Sequence, residues 1–99
     1  MQNHAKVVII GGGVVGCSIL YHLSKFGLKD CILLERNELT SGSSWHAAGN
    51  VHVISSDPNI SRMMAYTIGL YKEIEKESGH SVGFKPSGGF YLASNEVWA

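Results

Sequence analysis

The 99-residue chain carries eight basic and eight acidic side chains, so its formal charge at neutral pH is zero. No segment collects lysine or arginine, which argues against nucleic acid as a partner. The apolar runs are far shorter than the roughly 20 residues that a membrane-spanning helix needs, and the length suits one small domain. A soluble chain is therefore the default.

The first 16 residues contain the most informative pattern. The apolar run Val7–Ile10 predicts a strand buried on both faces, as in the middle of a parallel sheet. It leads into Gly-x-Gly-x-x-Gly at Gly11, Gly13 and Gly16. In such a pattern the first glycine makes the turn, the second admits a pyrophosphate and the third lets the helix approach the strand. The pattern predicts a dinucleotide site whose phosphates sit at the start of a helix.

The residues that follow support this prediction. Apolar side chains recur at helical spacing after the turn, and Gly27 stands where the helix should end. Cys31–Leu34 is a second apolar run, so strand, helix and strand fit within about 30 residues. Glu35 follows it, about 20 residues after Gly16. Its carboxylate is predicted to accept hydrogen bonds from the adenosine ribose and to repel a 2′-phosphate.

Residues 40–49, here called the serine-rich loop, combine hydroxyls and small residues without periodicity. A flavin dinucleotide needs more hydrogen-bond donors along its phosphates than a nicotinamide one, and this loop is predicted to supply them. Ser43 or Ser44 is predicted to be the capping residue of a short turn that opens a helix. The alternative is a plain surface loop, but Trp45 beside His46 between small residues argues against it.

The second half of the chain predicts a long helix. Asp57 is a suitable N-cap, Pro58 suits the first helical position, and the helix is expected to run to Ser78 and to end at Gly79.

Two short apolar segments after that helix, 82–86 and 90–93, flank a glycine-containing turn and predict a hairpin. We therefore divide the chain into residues 1–80, a partial dinucleotide-binding domain, and residues 81–99, the truncated start of a second sheet. Two strands with one crossover helix leave the sheet incomplete, so the chain is expected to be the N-terminal piece of a longer protein.

Three segments resemble a known family: the glycine turn, the strand that ends Leu34-Glu35-Arg36, and above all the run Glu-Leu-Thr-Ser-Gly-Ser-Ser-Trp-His-Ala-Ala-Gly at 38–49. They resemble the D-amino-acid-oxidase-type flavoproteins, specifically the dimethylglycine and sarcosine dehydrogenase group. The resemblance implies an α/β fold, namely the N-terminal half of a Rossmann-like FAD-binding domain with a βαβ core. It also implies that the predicted hairpin is the first of a substrate domain.

The resemblance further implies that FAD is the cofactor and that His46 carries it covalently. A noncovalent contact and a structural histidine remain the alternatives for His46. The cofactor-binding residues predicted on this basis are Gly11, Gly13, Val14, Val15, Gly16, Glu35, Arg36, Gly42, Ser43, Ser44, Trp45, His46, Ala47, Ala48 and Gly49. No catalytic residue and no metal ligand is predicted within these 99 residues.

The activity that the resemblance implies is FAD-dependent oxidation of a small N-methylated amine, with the electrons passed to a separate acceptor. The 99 residues alone are expected to be inactive, because no substrate-binding residue can be assigned in them. Two other functions stay open. One is that of a noncatalytic regulatory relative of the same family, and the other is that of an NAD-dependent dehydrogenase, which the glycine pattern and Glu35 would also fit.

The location predicted from the sequence is cytoplasmic. Only six residues precede the first strand, and they form neither a signal peptide nor an arginine-rich transit sequence. The mitochondrial matrix is the alternative for eukaryotic relatives.

Overall fold

The computed structural model describes residues 2–94 of the chain. The chain divides into two compact units, of which the first ends at Gly49 and the second begins at Asn50. Each unit is described by itself below.

The first unit is a strand, helix and strand in that order. Strand β1 (Val7–Ile10) pairs in parallel with β2 (Cys31–Leu34), with Val7 opposite Cys31 and Ile10 opposite Leu34. Parallel neighbours require a crossover, and helix α1 (Val14–Lys25) supplies it. The predicted βαβ core and the bounds of both strands are confirmed.

Helix α1 begins directly after the glycine turn and ends at the predicted position. Its last turn is satisfied by backbone bonds from the N–H of Phe26 to His22 and from the N–H of Gly27 to Ser24. Gly27 has a φ of 90°, in the left-handed region that favours glycine. The chain therefore turns away here towards β2.

Burial in the small sheet is one-sided. Ile9 is only 8% exposed, and its side chain lies next to Gly16 of α1. Val8 and Ile10 alternate to the opposite face and are 51% and 86% exposed. The prediction that β1 is buried on both faces is therefore wrong for this chain, because one crossover helix covers one face of a sheet.

The second unit contains helix α2 (Pro58–Ser78), as predicted. The Asp57 carboxylate accepts hydrogen bonds from the N–H groups of Asn59 and Ile60, at 2.7 and 3.4 Å. Pro58 occupies the first turn, where no N–H is needed. Gly79 ends the helix with a φ of 71°, and its N–H donates to the Glu75 carbonyl.

Removing the cap of α2 should loosen its first turn. For Asp57→Ala we expect a local loss of about 1 kcal/mol, which corresponds to roughly fivefold faster hydrogen exchange at the amides of Asn59 and Ile60. Asp57→Asn is the matched control, since asparagine caps equally well. Unchanged exchange in Asp57→Ala would show that the cap does not hold this turn.

The predicted hairpin is not shown. The described residues from 80 to 94 contain no strand, and residues 95–99, which fall in the predicted second domain, lie outside the described part of the chain. The N–H of Val82 donates instead to the Glu75 carboxylate at 2.9 Å, and Phe90 and Leu92 are fully or almost fully exposed. An isolated two-stranded hairpin is marginal in water, so apolar segments without a packing partner have little reason to pair.

Candidate functional site

The passage from β1 into the first turn of α1 requires glycine at two positions, one in the connecting turn and one in the helix. Gly11 has a φ of +109°, which residues with a side chain rarely adopt. At Gly16, a Cβ atom would collide with the carbonyl oxygen of Gly11. The helix can therefore lie against the turn only because position 16 has no side chain.

The start of α1 offers hydrogen-bond donors that the helix itself does not use. The first N–H groups of a helix have no intrahelical acceptor. The N–H of Val14 donates to the Ser44 hydroxyl at 2.8 Å, while those of Val15 and Gly16 have no acceptor among residues 2–94. Their partial positive charge suits an anion, and phosphate is the usual one at such a position.

Glu35 follows β2 and turns back onto the glycine turn. Its Oε2 accepts from the N–H of Gly12 at 2.7 Å, and its Oε1 accepts from the N–H of Asn37 at 3.1 Å. A carboxylate has about four lone-pair sites, so both oxygens can still accept from ribose hydroxyls. The sequence predicted the ribose role, but the bond that fastens Glu35 to the turn was not predicted.

These hydrogen bonds keep the Glu35 carboxyl ionised. The N–H of Gly12, and next that of Asn37, lower its pKa below the usual carboxyl value, and burial opposes them only in part. Because the folded pKa is lower than the unfolded pKa, the stabilising contribution is complete above the unfolded pKa. It is lost as the pH falls through the lowered folded pKa.

Replacing the Glu35 carboxylate should therefore remove its pH-dependent protection of the turn against hydrogen exchange. In Glu35→Gln we expect the Gly12 and Asn37 amides to exchange hydrogen faster than in the wild type at neutral pH. The ratio of the two exchange rates should approach one as the pH falls through the lowered pKa of Glu35. A ratio that stays constant across acidic pH would contradict this role of the charge.

The serine-rich loop is fastened to the same turn. The N–H of Thr40 donates to the Gly12 carbonyl at 2.8 Å, and Thr40 has a φ of 66°, an uncommon conformation for a β-branched residue. A Cβ atom on Gly12 would meet the side chain of Leu39. Residues 40–46 form turns, as predicted, but no helix opens from them, so that part of the prediction is wrong. Ser44 caps α1 instead, as the bond to Val14 shows.

His46 lies on this loop with its ring held by one hydrogen bond. Its Nδ1 lies 2.9 Å from the carbonyl oxygen of Gly42. A carbonyl only accepts, so in the neutral ring the proton resides on Nδ1 and Nε2 presents a lone pair. His46 is exposed, and so is Trp45, at 77%.

The other predicted residues are less closely joined to the turn. Arg36 lies beside Glu35 and its charge also lowers the pKa of that carboxyl. Ala47, Ala48 and Gly49 are exposed and irregular. No hydrogen bond within the described residues joins the side chain of Ser43 to the glycine turn.

The carboxyl ends of both strands border an open hollow of about 580 Å³. Its lining residues are Ile10, Gly11, Leu34, Glu35, Arg36, Asn37, Ser41 and Gly42. This edge of an open parallel sheet is where ligands bind in such folds.

Within residues 2–94 there is no group of three or more side chains that could hold a metal ion. None of the helices in this part of the chain is both long and apolar enough to cross a bilayer.

Comparison with known proteins decides the family. The model of the family described as FAD dependent oxidoreductase matches residues 6–99. The chain belongs to this family. FAD is thereby implied as the cofactor, which agrees with a glycine turn open to phosphate and with Glu35 beside it.

Among its relatives, human mitochondrial dimethylglycine dehydrogenase is 46% identical over 97% of this chain. Human mitochondrial sarcosine dehydrogenase is 42% identical over 96% of it. Mouse mitochondrial pyruvate dehydrogenase phosphatase regulatory subunit is 38% identical over 97%. The chain spans only 11%, 10% and 11% of these relatives, about a tenth of each.

Proposed function

We propose that this chain forms the ADP-binding and flavin-attaching part of an oxidoreductase that oxidises a small N-methylated amine. The observation that carries the proposal is that the serine-rich loop, which contains His46, is hydrogen-bonded to the glycine turn and to the start of α1. The names of the dehydrogenases among the relatives support dimethylglycine or sarcosine as the substrate class. Substrate and electron acceptor would bind to the full-length protein.

The start of α1 would hold the diphosphate. The N–H groups of Val15 and Gly16 have no acceptor among residues 2–94, and glycine at position 13 would let the backbone come close to a phosphate bound there. No basic side chain is needed, because the N–H groups and the helix dipole supply the positive potential.

Glu35 would select the cofactor. As an ionised acceptor it can bind both ribose hydroxyls, and its negative charge would repel a 2′-phosphate. Its bond to the N–H of Gly12 keeps the carboxylate beside the turn, so the ribose and the diphosphate are read by adjacent groups.

His46 would form the covalent link through Nε2. The Gly42 carbonyl holds the proton on Nδ1 and leaves the Nε2 lone pair free as the nucleophile towards the flavin 8α carbon. Forming this N–C bond would replace one C–H bond of the 8-methyl group, with loss of its proton, and would leave the flavin reduced by two electrons. The electron acceptor that serves turnover, or oxygen when the protein is kept in air, would remove that pair.

Bound FAD would supply the redox chemistry, as the acceptor of a hydride from the N-methyl carbon and as the donor of electrons to a separate acceptor. The contribution of this chain is to bind and orient the cofactor. The groups that bind the amine and move its protons are expected in the rest of the full-length protein, and no residue described here is assigned to them.

The activity is tested by anaerobic reduction. Full-length protein with its flavin is mixed with dimethylglycine, sarcosine or, as a control without an N-methyl group, glycine. We expect both methylated amines, or one of them, to bleach the flavin absorbance and glycine to leave it unchanged. Protein that binds flavin which no amine reduces would overturn the enzymatic proposal.

That last result would favour a second candidate, a noncatalytic regulatory role. The specific observation in its favour is the 38% identity to a phosphatase regulatory subunit over almost the whole chain.

The cellular compartment of the protein stays a prediction. The names of the three relatives support a mitochondrial location.

A further inference from the structure

Ser44 differs from its neighbours in the serine-rich loop. Ser44 is half-buried, whereas its two neighbours are exposed: Ser43 is exposed and Trp45 is 77% exposed. The Ser44 hydroxyl accepts the N–H of Val14 at 2.8 Å across a sequence separation of 30 residues. This long-range bond connects the loop to the start of α1.

The space for this bond depends on a glycine. A Cβ atom at Gly13 would lie 3.1 Å from the Ser44 oxygen, closer than a side chain ordinarily tolerates. Position 13 therefore leaves room for the loop as well as for a phosphate. Since the hydroxyl accepts from Val14, its own proton remains available for an anion at the same helix start.

The same short turn that contains Ser44 holds the ring of His46. The N–H of His46 donates to the Ser43 carbonyl at 3.1 Å, and its Nδ1 is bonded to the Gly42 carbonyl. These carbonyls belong to the two residues that precede Ser44. A shift of Ser44 away from α1 would displace them, and the imidazole with them.

We propose that Ser44 is a positioning residue that sets the location of His46 relative to the diphosphate site of α1, and so controls the rate of flavin attachment. The inference rests on the proposed function, because it assumes that His46 is the attachment residue. Orientation has a large effect on such a step, since a misplacement of about 1 Å can slow a reaction roughly 100-fold.

The test measures binding and attachment separately. Full-length protein is prepared without flavin and mixed with saturating FAD in air, and samples are precipitated with acid over time. For Ser44→Ala we expect attachment to be roughly 10-fold to 100-fold slower than in the wild type. The dissociation constant of FAD before attachment should change by a smaller factor. Ser56→Ala, the same substitution at an exposed serine of the other unit, is the matched control and should attach FAD at the wild-type rate.

Two further variants make the result specific. Ser44→Thr keeps a hydroxyl acceptor and should restore most of the rate. Ser44→Cys keeps the side-chain size but weakens the acceptor, and it should be slow even if Ser44→Ala fails to fold. Attachment at the wild-type rate in the Ala and Cys variants would overturn the role of Ser44 alone. A wild type that never retains FAD in acid would instead overturn the attachment through His46, and this inference with it.

Discussion

Gly16→Ala is expected to abolish FAD retention and to destabilise the first unit by more than about 3 kcal/mol. The added Cβ would overlap the carbonyl oxygen of Gly11, and backbone atoms of a turn between a strand and a helix cannot move aside cheaply. To make room, α1 would have to move away from β1. That movement would uncover Ile9, the buried residue between them, and displace the N–H groups of the proposed phosphate site.

The same substitution elsewhere in the chain should have the opposite effect. Gly69 lies within α2, and a Cβ atom there would meet nothing within 4 Å. Gly69→Ala should therefore stabilise α2 by up to about 1 kcal/mol and leave flavin content unchanged. The measurements are the thermal midpoint and the flavin-to-protein ratio of the full-length variants. Normal flavin content in Gly16→Ala would contradict the close packing described here.

His46→Ala is the second substitution for which we expect a large effect. It removes the one group of the serine-rich loop that is proposed to bond covalently to the flavin, while Glu35 and the glycine turn stay intact. The purified variant should still bind FAD, but acid should release all of it, whereas acid should release almost none from the wild type. His52→Ala, six positions further along the chain, is the control and should retain FAD as the wild type does.

Release of FAD by acid from the wild type would also be informative, because it would separate cofactor binding from covalent attachment. If acid released FAD from the wild type and from His46→Ala alike, the covalent link would be excluded. FAD could still be the cofactor, bound through the glycine turn. The distinction matters because the family match implies FAD but does not by itself imply attachment.

The sequence predicted those elements whose signals are local. Helix α2 is an example, since its cap at Asp57 and its glycine at position 79 are within the segment they terminate. The hairpin expected near Phe90 was not shown, because strand pairing depends on a partner surface rather than on the strand's own residues. The prediction that β1 is buried on both faces was wrong for a related reason, since covering the second face of the sheet requires further elements packed against it.

The site divides in the same way. The positions of Gly11 and Gly16 could be read from their spacing, because each glycine acts on its own turn. The partner of Ser44 could not be predicted from the sequence, because its hydrogen bond to Val14 joins residues 30 positions apart. A serine is a suitable capping residue, but its presence does not indicate which helix it caps. The proton position on His46 likewise depends on the carbonyl that faces its ring.

The most direct test of the central claim is the mass of one peptide. Trypsin cuts after Arg36 and Arg62, so residues 37–62 are released as one peptide that contains both His46 and His52. Acid-precipitated full-length protein is digested, and this peptide is fragmented to find which residue carries added mass. We expect the flavin mass on His46, with His52 unmodified. A peptide without flavin, or flavin on His52, would contradict the proposal that this loop attaches the cofactor through His46.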